Sequence, residues 1–589
     1  MSVHIHYVLA CLLCEVFFVY IHRKSSNIKQ LFGMLFVPVS LYLLTYHYSL
    51  LTIRAEIQVY VMSIVCLAFA MFLCSLTFLP RRTNAVKKEV VVLLALFSFF
   101  LILLSCGIPW LVKAFPLDKP DAILFTLFQN NAGTENFVWN LIWDNILCPT
   151  LSIYVPILLI FLVLSMAVYW SKKTWCMKFF RYKVCLYCGS TIWTTLRPLC
   201  VILFLGSFIA FWLVAPRLFS PLIKICKVYL EPSKMCNSEL YLKEYIFPDS
   251  VMIKFPGRKK NLIYLMLESM EVNFKDYTPE INEISKENIS FLPGGVDVAM
   301  TGWTIAAQVS KNCGIPLYLP KGLENSEQIF RFLPRAKCLT DILAENGYNQ
   351  IYVQGSNGDF ASTRNFWTQH GVGVFQDFSY YIKKGVADRK DVLWGLPDKK
   401  LYGFLREELD GLAQDSLRPF AMYAATIDTH FPEGLVSEGC PISETENTQY
   451  PSVLRCASSQ LASFLQWTKK QSWYENTVIV LVGDHTWDTF TDLLNMPKEE
   501  PLYWIDVFIN SQKQSPKLER NFSSFDMYPT VLEAMGAEIE GHRLGLGTSL
   551  FSNEKTLLEK MPKTILDSLL RIKSYQYDYF MQGGSFVGE

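Results

Sequence analysis

The sequence predicts an α-helical transmembrane region followed by an α/β domain whose mostly parallel sheet carries helices on both faces. Three observations carry this reading. Apolar runs of bilayer length recur over residues 1–217, and beyond residue 258 strand-like and helix-like stretches alternate. Between these halves, Asn261-Leu-Ile-Tyr-Leu-Met-Leu-Glu-Ser269 runs six apolar residues straight into a carboxylate. A parallel strand buried on both faces reads this way, and its last turn lifts Glu268 to the sheet edge where ligands of open α/β folds bind.

Composition agrees with a membrane-embedded first half. The 589 residues are 51% hydrophobic and only 18% charged, too apolar on average for a wholly soluble chain. The formal net charge is +1 and no basic stripe with interleaved aromatics occurs, which excludes a nucleic-acid partner as the organising function.

Taken in order, apolar runs at 3–22, 31–48, 59–79, 90–112, 151–170 and 198–214 are each near the ~20 residues a spanning helix needs. Thirteen Lys and Arg fall in alternate connections (Arg23, Lys24, Lys29; Arg81, Arg82, Lys87, Lys88; Lys172, Lys173, Lys178, Arg181, Lys183, Arg197), against three (Arg54, Lys113, Lys119) in the others. By the positive-inside rule everything after residue 217 lies outside the cytoplasm. The first run lacks a basic start and a small-residue cleavage site, so it reads as a span and not a removed signal. Within it Glu15 marks either a pathway or a group facing other helices. Residues 114–150 are expected to follow the bilayer surface. Cys185-Leu-Tyr-Cys188, with Cys176 nearby, has half-zinc-site spacing, but without a fourth ligand free thiols are the simpler reading.

Residues 218–257 read as a juxtamembrane linker, 258–552 as the catalytic domain and 553–589 as a helical segment and tail. Six cysteines of the external half, Cys226, Cys236, Cys313, Cys338, Cys440 and Cys456, fall where disulfides persist. Connectivity is open, and pairing sequence neighbours is simplest. Elements expected in the domain are a helix Lys337–Asn346 stopped by Gly347, strands Asn349–Val353 and Pro419–Ala425, a helix Ser458–Lys470, a strand Thr477–Val482, a strand over 502–509 and a helix Ser524–Met535.

Two strands end in metal-type ligands: Glu268, and Asp484-His485 after Gly483. Carboxylates with an imidazole suit a divalent cation such as Mn²⁺ or Zn²⁺, and Gly483 is expected to allow a sharp turn there. Between them Met300-Thr-Gly-Trp-Thr-Ile-Ala-Ala-Gln308 sets hydroxyls before a helical run, where backbone N–H groups favour a phosphate and a cation would activate a hydroxyl. Thr301 and Thr304 are both candidates, and either can instead be an N-cap.

These motifs, with Cys313-Gly-Ile-Pro, Trp394-Gly-Leu-Pro-Asp398, Asp428-Thr-His-Phe-Pro432, Asp526-Met-Tyr-Pro-Thr530 and Gly545-Leu-Gly-Thr-Ser-Leu550, closely resemble the sulfatase-like branch of the alkaline phosphatase superfamily. Within it the chain is similar to membrane-anchored phosphoglycerol transferases that decorate periplasmic glucans or polymerise lipoteichoic acid. The resemblance implies an alkaline phosphatase/sulfatase-like fold and one divalent ion held by Glu268, Asp484, His485 and the nucleophile Thr304. It implies His430, Arg364 and Asp359 as substrate contacts. Lipoteichoic acid synthases carry His before a Gly where this chain has Gln354-Gly355, which favours a glucan or lipopolysaccharide acceptor.

The function so implied is transfer of a membrane phospholipid's phosphorylated head group, through a phospho-threonine, onto a cell-envelope glycan. It would occur on the periplasmic or extracellular side of a bacterial cytoplasmic membrane. Alternatives are a phosphoethanolamine transferase acting on lipopolysaccharide, a phosphodiester or sulfate ester hydrolase of the same fold, and, from a different class, an inactive membrane-anchored binding protein.

Overall fold

The computed structural model describes isolated stretches between residues 99 and 186, and then 235–318, 332–387, 395–415, 417–430, 434–442, 449–487, 494, 502–582 and 586. The chain divides into two compact units, residues 1–115 with 136–224 and residues 116–135 with 225–589.

In the first unit the expected spans at 3–22, 31–48, 59–79 and 198–214, with Glu15, lie outside the described residues. Those at 90–112 and 151–170 lie mostly outside them. Among the described residues no helix is long and apolar enough to cross a membrane. Residues 142–152 are helical, with a π-helical turn at Trp143–Leu147, so helix begins inside the stretch expected as a surface connection. Trp175–Phe179 and Tyr182–Leu186 form an antiparallel hairpin that sets Cys176 opposite Cys185. Cys188 is outside the described residues.

The second unit is built on a six-stranded sheet. In chain order its strands are β1 (Asn261–Leu267), β2 (Asn349–Gln354), β3 (Val374–Gln376), β4 (Phe420–Ala425), β5 (Thr477–Gly483) and β6 (Asp506–Ile509), arranged in space β6-β5-β1-β4-β2-β3. All neighbours are parallel except the edge strand β6, which runs antiparallel to β5. Every residue of β1, β4 and β5 is buried, and alternation sorts them onto two cores as the pleat requires. Leu262, Tyr264 and Met266 join one core, and Ile263, Leu265 and Leu267 the other.

Helices cover both faces. The first core takes α1 (Thr304–Cys313), α2 (Leu339–Glu345) and α5 (Met527–Ala534). The second takes α3 (Asp398–Leu412) and α4 (Tyr450–Thr468). Helix α3 is not among the elements expected from sequence, although Leu401, Phe404, Leu405 and Leu409 recur at the helical period and are buried. Helix α4 starts at Tyr450, not Ser458, because Pro451 occupies its first turn, where no amide partner is needed. Over 502–509 only Asp506–Ile509 is strand, and Ser524–Asp526 is a 3₁₀ turn ahead of α5.

Disulfides join Cys313 to Cys338 and Cys440 to Cys456. Cys236 is free and exposed, and Cys226 lies outside the described residues. The stretch expected as linker holds a helix, Glu239–Glu244, whose Tyr241 packs against Phe580 near the carboxyl end. Its strand Ile253–Lys254 pairs with Glu538–Ile539.

Candidate active site

Strands β1 and β5 lie side by side with Leu267 opposite Gly483, so the residues that follow them meet at one sheet edge. Ligating atoms of Glu268, Asp484 and His485 all lie within 4.8 Å of one another, and all three side chains are buried. His485 Nε2 is 3.8 Å from Glu268 Oε1 and 3.5 Å from Asp484 Oδ2.

The turn after β1 is locked onto the turn after β5. Ser269, in the left-handed region at φ 47°, donates its amide to Asp484 Oδ1 (2.7 Å) and its hydroxyl to Glu268 Oε1 (2.8 Å). A non-glycine residue held there is strained, and such strain clusters at functional sites. From the loop that follows β4, Thr426 Oγ1 accepts from the Glu268 amide, and Thr429 Oγ1 donates to the Glu268 carbonyl. Gly483 is needed for a different reason from the one its sequence suggested. It ends the strand without a left-handed turn, but a Cβ there would stand 2.2 Å from the Met270 carbonyl oxygen.

The two candidate threonines differ. Thr301 is fully buried and its hydroxyl is engaged in its own turn, donating to Val298 O and accepting from Val298 N. Thr304 is the first residue of α1, with Trp303 as N-cap. Its half-buried hydroxyl reaches 3.5 Å from Glu268 Oε2 and caps no amide.

A divalent cation fits this donor set. Burial and the Asp484 charge push the Glu268 carboxyl well up. Asp484 Oδ2 is buried with no hydrogen-bond donor. Two carboxylates so placed call for a cation, and the imidazole makes a mixed N/O set of the kind Zn²⁺ and Mn²⁺ take. The second cluster with metal-like composition, Cys338, Asp341 and His370, has its sulfur in the Cys313–Cys338 disulfide. His370 there bonds Asp341 through Nδ1 and Phe332 O through Nε2.

His430 sits one residue beyond Thr429, beside the ligand edge. Its loop is braced by a buried carboxyl pair. Asp398 accepts from the amides of Ile427 and Asp428, and Asp428 accepts from the Asp398 amide. Burial raises both carboxyls, Asp428 to about 6. Arg364 and Asp359 are paired to each other (2.9 Å), and Arg364 also binds the buried Asp377 (2.5 Å). Among the described residues no hydrogen bond or ion pair joins Arg364 or Asp359 directly to Glu268, Asp484 or His485. Gln354, the last residue of β2, is buried and donates to Ser356 O.

Ser269, Thr426 and Lys311 escaped sequence reading, although Ser269 directly follows the singled-out Glu268. Lys311 is fully buried on α1, and burial lowers its pKa to about 8 against the opposing charges of Asp297 and Asp484.

The sulfatase family model matches residues 260–537. Phosphoglycerol transferase I of Escherichia coli is 32% identical over 319 residues, 51% of this chain and 40% of that one. The Escherichia fergusonii protein of the same name matches to the same extent. Among solved structures, a protein in the alkaline phosphatase superfamily from Vibrio parahaemolyticus is similar with TM-score 0.43 and 21% identity, over 54% of this chain and 76% of that one. The lipoteichoic acid synthase LtaP from Listeria monocytogenes has TM-score 0.43 and 18% identity, over 51% and 79%. The chain spans 40% of the length of the curated relatives it matches. Residues 260–537 thus form a sulfatase-like domain, and over 51% of its length the chain is similar to phosphoglycerol transferase I.

Proposed function

We propose that the chain is a metal-dependent transferase that moves the phosphorylated head group of a membrane phospholipid, of phosphoglycerol type, onto a cell-envelope glycan. The observation that carries this is Thr304 Oγ1 standing 3.5 Å from Glu268 Oε2 at the amino end of a ten-residue helix, beside the Glu268, Asp484 and His485 cluster. Glu268, Asp484, His485 and Thr304 would hold one Mn²⁺ or Zn²⁺ ion, which when bound lowers the hydroxyl pKa and polarises a phosphoryl oxygen.

Thr304 Oγ attacks the phosphorus of the donor. The Thr304 hydroxyl loses its proton as the Oγ–P bond forms, the P–O bond to diacylglycerol breaks, and the departing alkoxide takes up a proton, leaving a glycerophosphoryl group on Thr304. An acceptor hydroxyl then attacks the phospho-threonine, its O–P bond forms, its proton is lost and Thr304 Oγ is released. The first amides of α1, which lack partners within the helix, favour the phosphoryl oxygens. His430 contacts the same group, and Arg364, fixed by Asp359 and Asp377, contacts the polar head. Residues 1–217 would anchor the domain against the leaflet in which the donor diffuses, a placement supported by the distribution of Lys and Arg.

The test offers the protein phosphatidylglycerol vesicles labelled in the head group, with an oligosaccharide acceptor, and follows both by mass spectrometry. Diacylglycerol release with a matching mass gain on the glycan is expected. Free glycerol phosphate with an unchanged glycan would instead identify a hydrolase. Consumption of phosphatidylethanolamine in its place would identify the ethanolamine alternative. Metal content read in parallel should show one ion in the native protein and none in Glu268→Gln; an ion-free native protein with neither reaction would point to the inactive binding class.

A further inference from the structure

Lys311 lies seven residues after Thr304 on α1, two turns along and on the same side of the helix. It is fully buried, yet among the described residues no carboxylate lies within ion-pair distance of it. Its Nζ donates to the main-chain carbonyl of Asp484 at 2.6 Å and stands 4.1 Å over the Trp504 ring. Burying an ammonium is expensive, and a residue serving only to fill space here would be Leu or Met.

The surroundings are shaped for this cation. Trp504 is fully buried and clamped by two glycines. A Cβ on Gly295 would lie 2.0 Å from its ring and one on Gly483 2.8 Å from its Cβ. Trp504 also exchanges both main-chain hydrogen bonds with Gly295. The ring therefore has one position, and its face supplies the cation–π partner. The other partner is the backbone of the residue that carries a proposed metal ligand. Helix α1 thus meets the sheet edge at two points, Thr304 beside Glu268 and Lys311 on Asp484.

We propose that Lys311 is a positioning residue that ties the helix bearing the nucleophile to the Asp484-His485 turn, and so sets the placement of Thr304 relative to the ion ligands. The proposal rests on the reading of Glu268, Asp484 and His485 as a metal site. Ser269 grips the Asp484 carboxylate and Leu267 O accepts from the Asp484 amide, and Lys311 holds the Asp484 carbonyl, tying this turn to α1.

The test uses the full chain with Lys311→Met, which keeps the apolar stem and removes the donor. Mn²⁺ affinity is measured by competition titration, head-group release from phosphatidylglycerol vesicles as kcat and KM, and Tm without metal. Mn²⁺ affinity should fall on the order of tenfold to hundredfold, the range for partners that orient ligands. The kcat should fall by a similar order, as for a displacement of about 1 Å, with KM within about twofold. Lys311→Gln, which restores a donor, should recover part of both, and it carries the test alone if Lys311→Met does not fold. A lower Tm with Mn²⁺ affinity and kcat unchanged would overturn the proposal, leaving Lys311 a packing residue. If the native protein releases no head group, the transferase reading fails and the Mn²⁺ arm decides for Lys311. Mn²⁺ retained in full by Glu268→Gln would show that the ligand assignment itself is wrong, and the positioning role would fall with it.

Discussion

At the residue scale, the two threonines separate by what their hydroxyls already do. Thr304→Ala removes the group beside Glu268 but leaves Glu268, Asp484 and His485 in place. Ion content and fold should survive while head-group release collapses, by on the order of 10⁶ where a nucleophile is lost. Thr301→Ala breaks a turn instead, so its cost should appear as about 1–3 kcal/mol of stability from the Val298 groups left unpaired. Peptide mass spectrometry of trapped protein should find a glycerophosphoryl group on Thr304; an adduct on Thr301 would reverse the assignment. Asp506 gives a second residue-scale expectation, at the far side of β5. Its Oδ2 accepts from the Phe291 amide, its Oδ1 is buried without a donor, and burial raises it to about 8. With the folded value above the unfolded one, the folded chain holds the extra proton between about pH 4 and 8. The stability linked to this group is therefore present in full below about pH 4 and lost as pH rises to about 8, on the order of a few kcal/mol in total. Asp506→Asn should flatten the fall of Tm with pH over that window; an unchanged slope would assign the dependence to other groups.

At the element scale, β1 and β5 form the site because their turns can approach without side chains between them. Gly483→Ala places a Cβ 2.2 Å from the Met270 carbonyl, against backbone that cannot rotate away. Overpacking of this kind costs about 1–3 kcal/mol or more. The shift should also loosen the Ser269 to Asp484 bond, lowering Tm and ion affinity together. Gly403→Ala is the contrasting case. It sits within α3 with nothing within 4 Å of the new Cβ, so it should stabilise by about 0.5–1 kcal/mol. Thermal melts of the two variants, with and without Mn²⁺, measure both effects; equal behaviour would show that the packing at Gly483 is not limiting.

At the scale of the whole molecule, the proposed reaction needs a donor lipid and an acceptor glycan on the same side of the membrane as the site. The thirteen-to-three distribution of Lys and Arg predicts that side to be outside the cytoplasm. A reporter fused after residue 220 should be active only outside the cytoplasm, and one fused near residue 85 only inside. The opposite pattern would put the site on the wrong leaflet and end the transferase reading.

The local pattern of the chain already specified the buried strand before Glu268, the strand before Asp484-His485 and the alternation that makes the sheet mostly parallel, because burial on two faces writes itself into consecutive residues. Helix α3 escaped because its apolar positions are spaced among charges, and the reversed direction of β6 because strand direction is not a property of composition. The meeting of Ser269 with Asp484, 215 residues apart, follows from register, as do the grip of Lys311 on the Asp484 carbonyl and the clash that demands Gly483. The difference between Thr301 and Thr304 lies there too, since two hydroxyls three residues apart look alike until the fold gives one to a turn and turns the other toward Glu268. Residue type and local period reveal which groups are capable of chemistry; only the packing of distant segments decides which of them stand together.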